Sequence, residues 1–271
     1  MHNINPLFLT DGYKLGHKFQ YPEGTELIYS GWTPRGSRIP DIDKVVVLGA
    51  QYFVKRYLIE MFNENFFNKP KMEVVAIYKL YVEKYLGMPI KVDHIEALHD
   101  LGYLPIVLKS LPEGVSSPLR VPQVTVYNTL PEFFWLTNYI ETLMSSVLWI
   151  FSTSATIAKR FRSTLLHHAM KTDEDNAWFV DWQGHDFSMR GMAPDAGIFS
   201  AVGHAASFNG SDTFPVMYFL SKYYNAGVIE DLIVGSVPAT EHSVMSAGGQ
   251  ETEIQTFERL MDVYPTGILS V

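Results

Sequence analysis

Three stretches decide how this sequence is read: His185-Asp186-Phe187-Ser188-Met189-Arg190-Gly191, Asn209-Gly210-Ser211-Asp212-Thr213 and Ser236-Val237-Pro238-Ala239-Thr240-Glu241-His242-Ser243. Each lies where an apolar, strand-like run gives way to a run with helical spacing. Residues 177–187 read as a strand, 193–207 as a helix rich in small residues, and a short strand leads into Gly210. Residues 214–224 then read as a helix, 232–237 as a strand, 243–263 as a helix and 267–271 as the start of one more strand. Strands alternating with helices predict parallel βαβ units, which close into a barrel or form an open sheet. In such folds the functional loops sit at the carboxyl ends of the strands, where these three stretches fall.

Upstream the pattern is different. Residues 5–21 contain the polar-capped segment Thr10-Asp11-Gly12-Tyr13-Lys14. Residues 27–32 are strand-like and are broken by Pro34-Arg35-Gly36. Apolar residues at helical spacing mark 49–63 and 72–86. Residues 104–129 read as short strands joined by Pro/Gly turns, Pro112-Glu113-Gly114 among them. Two helices are predicted over 131–150 and 154–171, and the polar run Lys171 to Asn176 reads as a loop between two regions. The expected organisation is a mixed α/β domain over 1–175, followed over 176–271 by the first part of an α/β barrel.

Composition narrows the function. The 271 residues are 47% apolar and 18% charged, enough for a substantial core. A net charge of −8 and the absence of a long Lys/Arg block disfavour general nucleic-acid binding. The densest basic cluster, Lys159, Arg160 and Arg162, reads as a solvated helix face. The chain has no cysteine, which excludes disulfides, thiolate nucleophiles and Cys-based zinc sites. The longest apolar runs fall far short of the ~18 residues that mark a membrane span, and the N-terminus has no signal-peptide pattern, so a cytoplasmic protein is expected. There is no Walker A loop, G-x-G-x-x-G or G-x-S-x-G elbow.

Within the three stretches the residue types point to anion and aromatic-ring chemistry, each with a plainer alternative. Arg190 can hold a phosphate bidentately, or pair with Asp186 or Asp195 at the surface. His242, just before a helix with Ser243 as its cap, suits pyrophosphate, since a helix N-terminus favours anions; it can equally be a helix-end His with no catalytic duty. Asp212 can read a ligand donor or serve as an N-cap carboxylate. Phe187, taken alone, reads as core. His94, His99, His167 and His168 lack the i, i+4 spacing of a metal pair and read as surface or core histidines; no metal ligand is assigned.

With these motifs in hand the chain resembles the nicotinamide phosphoribosyltransferase family. The resemblance runs through nearly the whole chain: Thr10 to Lys14 with His17 and Gln20-Tyr21-Pro22, Pro112-Glu113-Gly114, Glu132 to Thr142, and the three stretches above. It implies a type II phosphoribosyltransferase fold, a mixed α/β domain plus an incomplete α/β barrel. It also implies transfer of a phosphoribosyl group from phosphoribosyl pyrophosphate to nicotinamide in NAD salvage, with Mg²⁺ assisting and ATP as a possible activator through phosphorylation of His242. By resemblance Phe187 stacks on the pyridine ring and Tyr13 covers its other face from the partner subunit of a homodimer. Asp212 accepts from the carboxamide, Arg190 holds the base or the phosphate side, His242 lies by pyrophosphate, and Arg35 matches a phosphate-contacting arginine. An ionised Asp212 argues against the alternative substrate nicotinate, whose carboxylate it would repel. By the same resemblance the chain is expected to stop inside a barrel strand and to be completed by a further C-terminal half or a second polypeptide. A non-catalytic binding module derived from the enzyme is the remaining alternative.

Overall fold

The computed structural model describes residues 4–271. Among the described residues seven strands fall into three groups: β1 (Tyr29–Trp32), β2 (Lys44–Val46), β3 (Ile106–Ser110), β4 (Ser116–Pro118), β5 (Val124–Asn128), β6 (His185–Asp186) and β7 (Gly210–Ser211). The α-helices are α1 (Ala50–Tyr52), α2 (Lys71–Leu86), α3 (Asp93–Leu101), α4 (Leu136–Thr172), α5 (Val180–Gln183), α6 (Pro194–Ala205), α7 (Pro215–Tyr224), α8 (His242–Ser246) and α9 (Glu253–Val263). Strands β1, β5 and β3 form an antiparallel sheet in that order, and β2 pairs antiparallel with β4. β6 and β7 pair in parallel, and Gly210 makes a further parallel bridge to Gly235. The chain is therefore mixed α/β, antiparallel in its first half and parallel in its second.

The two helices expected over 131–150 and 154–171 are one. α4 runs unbroken for 37 residues. Ser152-Thr153-Ser154 resembles a break in sequence, but Ser154 and nearby Thr156 find partners without leaving the helix. Thr156 Oγ1 donates to the Ser152 carbonyl at 2.6 Å and accepts the Val46 N–H at 2.9 Å, and Ser154 Oγ donates to the Ser200 carbonyl at 2.6 Å. Length and composition would also let α4 cross a membrane, which a search for uninterrupted apolar runs overlooks. Its apolar stripe instead lies in the core, with Leu136, Ile140, Leu143, Val147 and Phe151 all buried.

Around Phe151 the elements converge. Its ring lies 4.8 Å from Phe199 of α6 and 5.7 Å from Tyr52 of α1, and Tyr52 lies 4.6 Å from Phe219 of α7. Two glycines permit this. Gly49 has a left-handed φ of +99°, and a Cβ there would sit 2.8 Å from the Phe151 ring. A Cβ at Gly203 would lie 2.7 Å from the Ala155 backbone nitrogen, so only glycine lets α6 lie this close to α4. One continuous core cluster extends from Leu7 through α4 to Val216 and Val234, so the regions 1–175 and 176–271 share it.

Other expectations shift in detail. From α1 onward residues 50–67 stay helical, but over Phe53–Met61 and Asn63–Phe67 the bonds widen to i→i+5, as in Asn68 N–H to the Asn63 carbonyl. Glu113 of the Pro-Glu-Gly turn caps this helix from afar, accepting the Gln51 N–H at 2.7 Å. Residues 174–183, expected as strand from 177 onward, are helical turns and α5 up to β6. The strand expected over 232–237 is reduced to the bridge at Gly235, and that over 267–271 to a parallel bridge between Ser270 and Ala239. The helix expected over 243–263 breaks at Gly248-Gly249, where Gly249 has φ +75°, so α8 and α9 are separate.

Candidate functional site

Asp186, at the end of β6, holds the site from below. Its buried carboxylate accepts from Ser188 Oγ at 2.5 Å, Thr213 Oγ1 at 2.5 Å, Ser211 Oγ at 3.5 Å and the Ser188 N–H at 3.3 Å. Its backbone carbonyl accepts the Asp212 N–H at 2.9 Å. These bonds fasten the first stretch to the second. The pairing of Asp186 with Arg190 that the sequence leaves open does not form, because both oxygens are engaged by hydroxyls. Arg190 does not pair with Asp195 either: among the described residues it is in no ion pair, and its side chain is exposed.

Above this floor the three stretches meet at Asp212. Its Oδ1 accepts from Ser236 Oγ at 2.6 Å and lies 2.9 Å from His185 Nε2. The Ser236 hydroxyl, followed by His185, holds the Asp212 carboxyl below the usual carboxylate range, although partial desolvation opposes them. Asp212 is not the N-cap of α7: that place is taken by Phe214, and no side chain caps the helix. Phe187 is not a core residue. It is 53% exposed, and its ring sits 4.8 Å from that of His185. The glycines here are steric requirements: a Cβ on Gly210 would lie 2.7 Å from His185 Nδ1 and 2.8 Å from the Gly184 carbonyl, and one on Gly235 would lie 3.2 Å from the Trp182 ring.

The other expected residues are more scattered. His242 is the first residue of α8 and is exposed. Ser243 is not its cap: the N-cap position is held by Glu241, and the Ser243 hydroxyl turns back to the Glu241 carboxylate. Tyr13 is 64% exposed, with its ring edge against His17, and no ring contact joins it to Phe187 within one chain. The segment carrying Tyr13 is firmly held. Buried Lys14 pairs with Glu141 at 2.8 Å and bonds Asn138 at 3.1 Å, Thr142 donates to Asp11 at 2.7 Å, and Thr10 donates to the Tyr139 carbonyl. Arg35 is exposed in the loop after β1.

The plainer histidine and lysine assignments fit. His94 packs edge-on against Phe19 and Trp135, and burial, with Lys18 adding, pushes its pKa down to about 3. His99 contacts the Lys69 carbonyl. On the outer face of α4, Lys159 donates to Ser116, Arg160 faces Asp41 and Arg162 pairs with Asp181. Two contributors at the centre, His185 and Ser236, and the role of Asp186 escape a reading of the sequence. All three stand inside the stretches singled out, but nothing local marks which side chains of different strand ends will touch.

Residues 5–105 match the family model described as nicotinamide phosphoribosyltransferase, N-terminal domain. A nicotinamide phosphoribosyltransferase of Acinetobacter baylyi is 49% identical across 99% of this chain, which covers 54% of that relative. The chain is thus similar to nicotinamide phosphoribosyltransferases along nearly its whole length. A protein of the same name from Mycoplasma genitalium is 31% identical across 99% of this chain and 59% of its own length. The chain thus spans about half the length of the curated relatives it matches. Among solved structures, human nicotinic acid phosphoribosyltransferase superposes with a TM-score of 0.56 over 88% of this chain and 40% of its own, at 14% identity, a likeness of fold.

Proposed function

We propose that this nicotinamide phosphoribosyltransferase-like chain forms the base-recognising part of an enzyme joining nicotinamide to a phosphoribosyl group. The observation that carries the reading is the meeting of three strand ends at an ionised Asp212, whose partner His185 packs against the exposed ring of Phe187. The parallel pairing of residues 185–186, 210–211 and 235 fits the start of an incomplete α/β barrel of the type II phosphoribosyltransferases, with the mixed α/β domain before it ending near residue 175.

In this reading Phe187 stacks on the pyridine ring, and Asp212 accepts the carboxamide N–H. The ring nitrogen attacks C1′ of phosphoribosyl pyrophosphate as the bond from C1′ to the pyrophosphate oxygen breaks. The bonding pair leaves with pyrophosphate, and the products are nicotinamide mononucleotide and pyrophosphate. The passing state is oxocarbenium-like, so the protein's work is positioning and charge stabilisation. Arg190, in the turn after β6, and His242, at the start of α8, are both exposed and face the phosphates; Arg35 adds a further phosphate contact, and His242 is accessible for phosphorylation by ATP. Mg²⁺ travels with the pyrophosphate, and the described residues include no group of three His, Asp or Glu that would hold it by themselves. Tyr13 covers the second face of the base from the partner of a cytoplasmic homodimer, and a further segment or a second polypeptide supplies the rest of the donor site.

The test is binding of nicotinamide to the 271-residue chain, followed by ligand-observed NMR. Weak binding that is lost in Asp212→Ala and Phe187→Ala, with both variants folded, is expected. Absence of binding, or binding indifferent to both substitutions, would overturn the proposal.

A further inference from the structure

Asp212 has two oxygens and they are treated unequally. Oδ1 takes both protein partners, Ser236 Oγ at 2.6 Å and His185 Nε2 at 2.9 Å, each from a different strand end. Oδ2 accepts no hydrogen bond among the described residues, and the side chain is 44% exposed. Two partners on one oxygen fix the plane of the carboxylate and stop it from rotating. The free oxygen is then held in a constant direction, and the ring of Phe187 packs against the clamping His185.

We infer that Ser236 and His185 are positioning residues that clamp one oxygen of Asp212 so that the other reads the neutral carboxamide of the base and rejects a carboxylate. The inference rests on the base-reading role of Asp212 proposed above. Rejection needs Asp212 to be ionised and immobile, because a protonated or swinging carboxyl could turn a donor toward the carboxylate of nicotinate. The Ser236 hydroxyl, the largest influence on this carboxyl, favours its ionised form. For His185 to donate, its Nε2 must carry the proton. The imidazole has little freedom to turn away. Phe187 lies on one side, and on the other Nδ1 occupies room that only a glycine at 210 leaves open, since a Cβ there would come within 2.7 Å of it.

The clamp is tested by titrating the 271-residue chain with nicotinamide and with nicotinate. Ser236→Ala and His185→Phe should each lower the preference for nicotinamide about tenfold, the worth of one hydrogen bond to a charged group. Ser236→Thr and His185→Gln, which restore a donor, should recover most of it. A purely structural role would weaken both ligands together and leave their ratio alone. An unchanged ratio in folded Ala and Phe variants therefore overturns the clamp while leaving the base-reading role intact. A wild-type chain with no preference for nicotinamide removes that role and the clamp with it. Nitrogen-15 NMR of the wild-type imidazole gives an answer that needs no substitution at the clamp. A His185 side chain protonated at Nε2 is expected, and a neutral ring protonated only at Nδ1 overturns the proposal.

Discussion

The antiparallel strands between residues 29 and 128 are joined through three to five consecutive residue pairs, whereas β6 and β7 share two, and Gly235 and Ala239 contribute single bridges. Phe214, Tyr218, Ile229 and Leu232 are each more than 60% exposed around the parallel strands. The residues that meet at Asp212 all belong to the region with the sparser ladder. Order there comes from two other sources: packing of α6 and α7 onto α4 and α1, and hydroxyl and carboxylate bonds that tie one strand end to the next. Backbone pairing holds the first half, and side chains hold the second.

The sharpest way to break this comparison is to remove the ring that serves both halves. Phe151→Ala should cost about 4 kcal/mol, the usual loss for a buried aromatic, and should lower the stability of both regions together in urea unfolding followed by site-specific probes. If the first half keeps its stability, the shared core is not what couples them. Asp186→Ala comes next. It strands the hydroxyls of Ser188, Ser211 and Thr213, and a loss of about 2–3 kcal/mol is expected, with amide-exchange protection falling around β6 and β7 and not in β1, β3 or β5.

Acid should act on the first half. His94 has a folded pKa depressed to about 3, so the unfolded chain binds its proton more readily. Its contribution is complete above the ordinary value near 6.5 and is lost as pH falls from there toward 3, by about 2 kcal/mol between pH 7 and pH 5. His94→Phe should flatten that part of the stability profile, and a slope identical to wild type would show that another group is responsible. The smallest effect on stability is expected at Phe187. Its ring is half exposed, so Phe187→Ala should change the unfolding free energy by no more than about 0.5 kcal/mol while abolishing nicotinamide binding.

How much of this is legible in the sequence follows from how local each signal is. α2, α6 and α7 are legible because apolar spacing and flanking Pro, Gly or Asn mark them within a dozen residues. α4 reads as two helices because Ser152-Thr153-Ser154 looks polar, and the partners of Thr156 and Ser154, Val46 and Ser200, are far away in sequence. The single helix expected over 243–263 fails for the opposite reason, since the break is local and Gly248-Gly249 outweighs the apolar spacing on either side. The three candidate stretches stand out by their position after apolar runs. Their inner logic does not, because Asp186 offers the same carboxylate to an arginine or to three hydroxyls, and only the fold decides between them. Phe187 looks like core for the same reason: an aromatic in a sequence does not say which way it faces.

α4 also fixes a distance. Near its start Asn138, Glu141 and Thr142 grip the segment that carries Tyr13, and further along Ser154 reaches Ser200, whose hydroxyl lies 3.0 Å from that of Ser188 beside Asp186. Both attachments are made to one rod, about 55 Å long at 1.5 Å per residue. A residue inserted between positions 142 and 154 would turn one attachment about 100° relative to the other. The helix thus acts as a ruler with a phase as well as a length, and this stretch should tolerate exchanged side chains far better than any change in residue count.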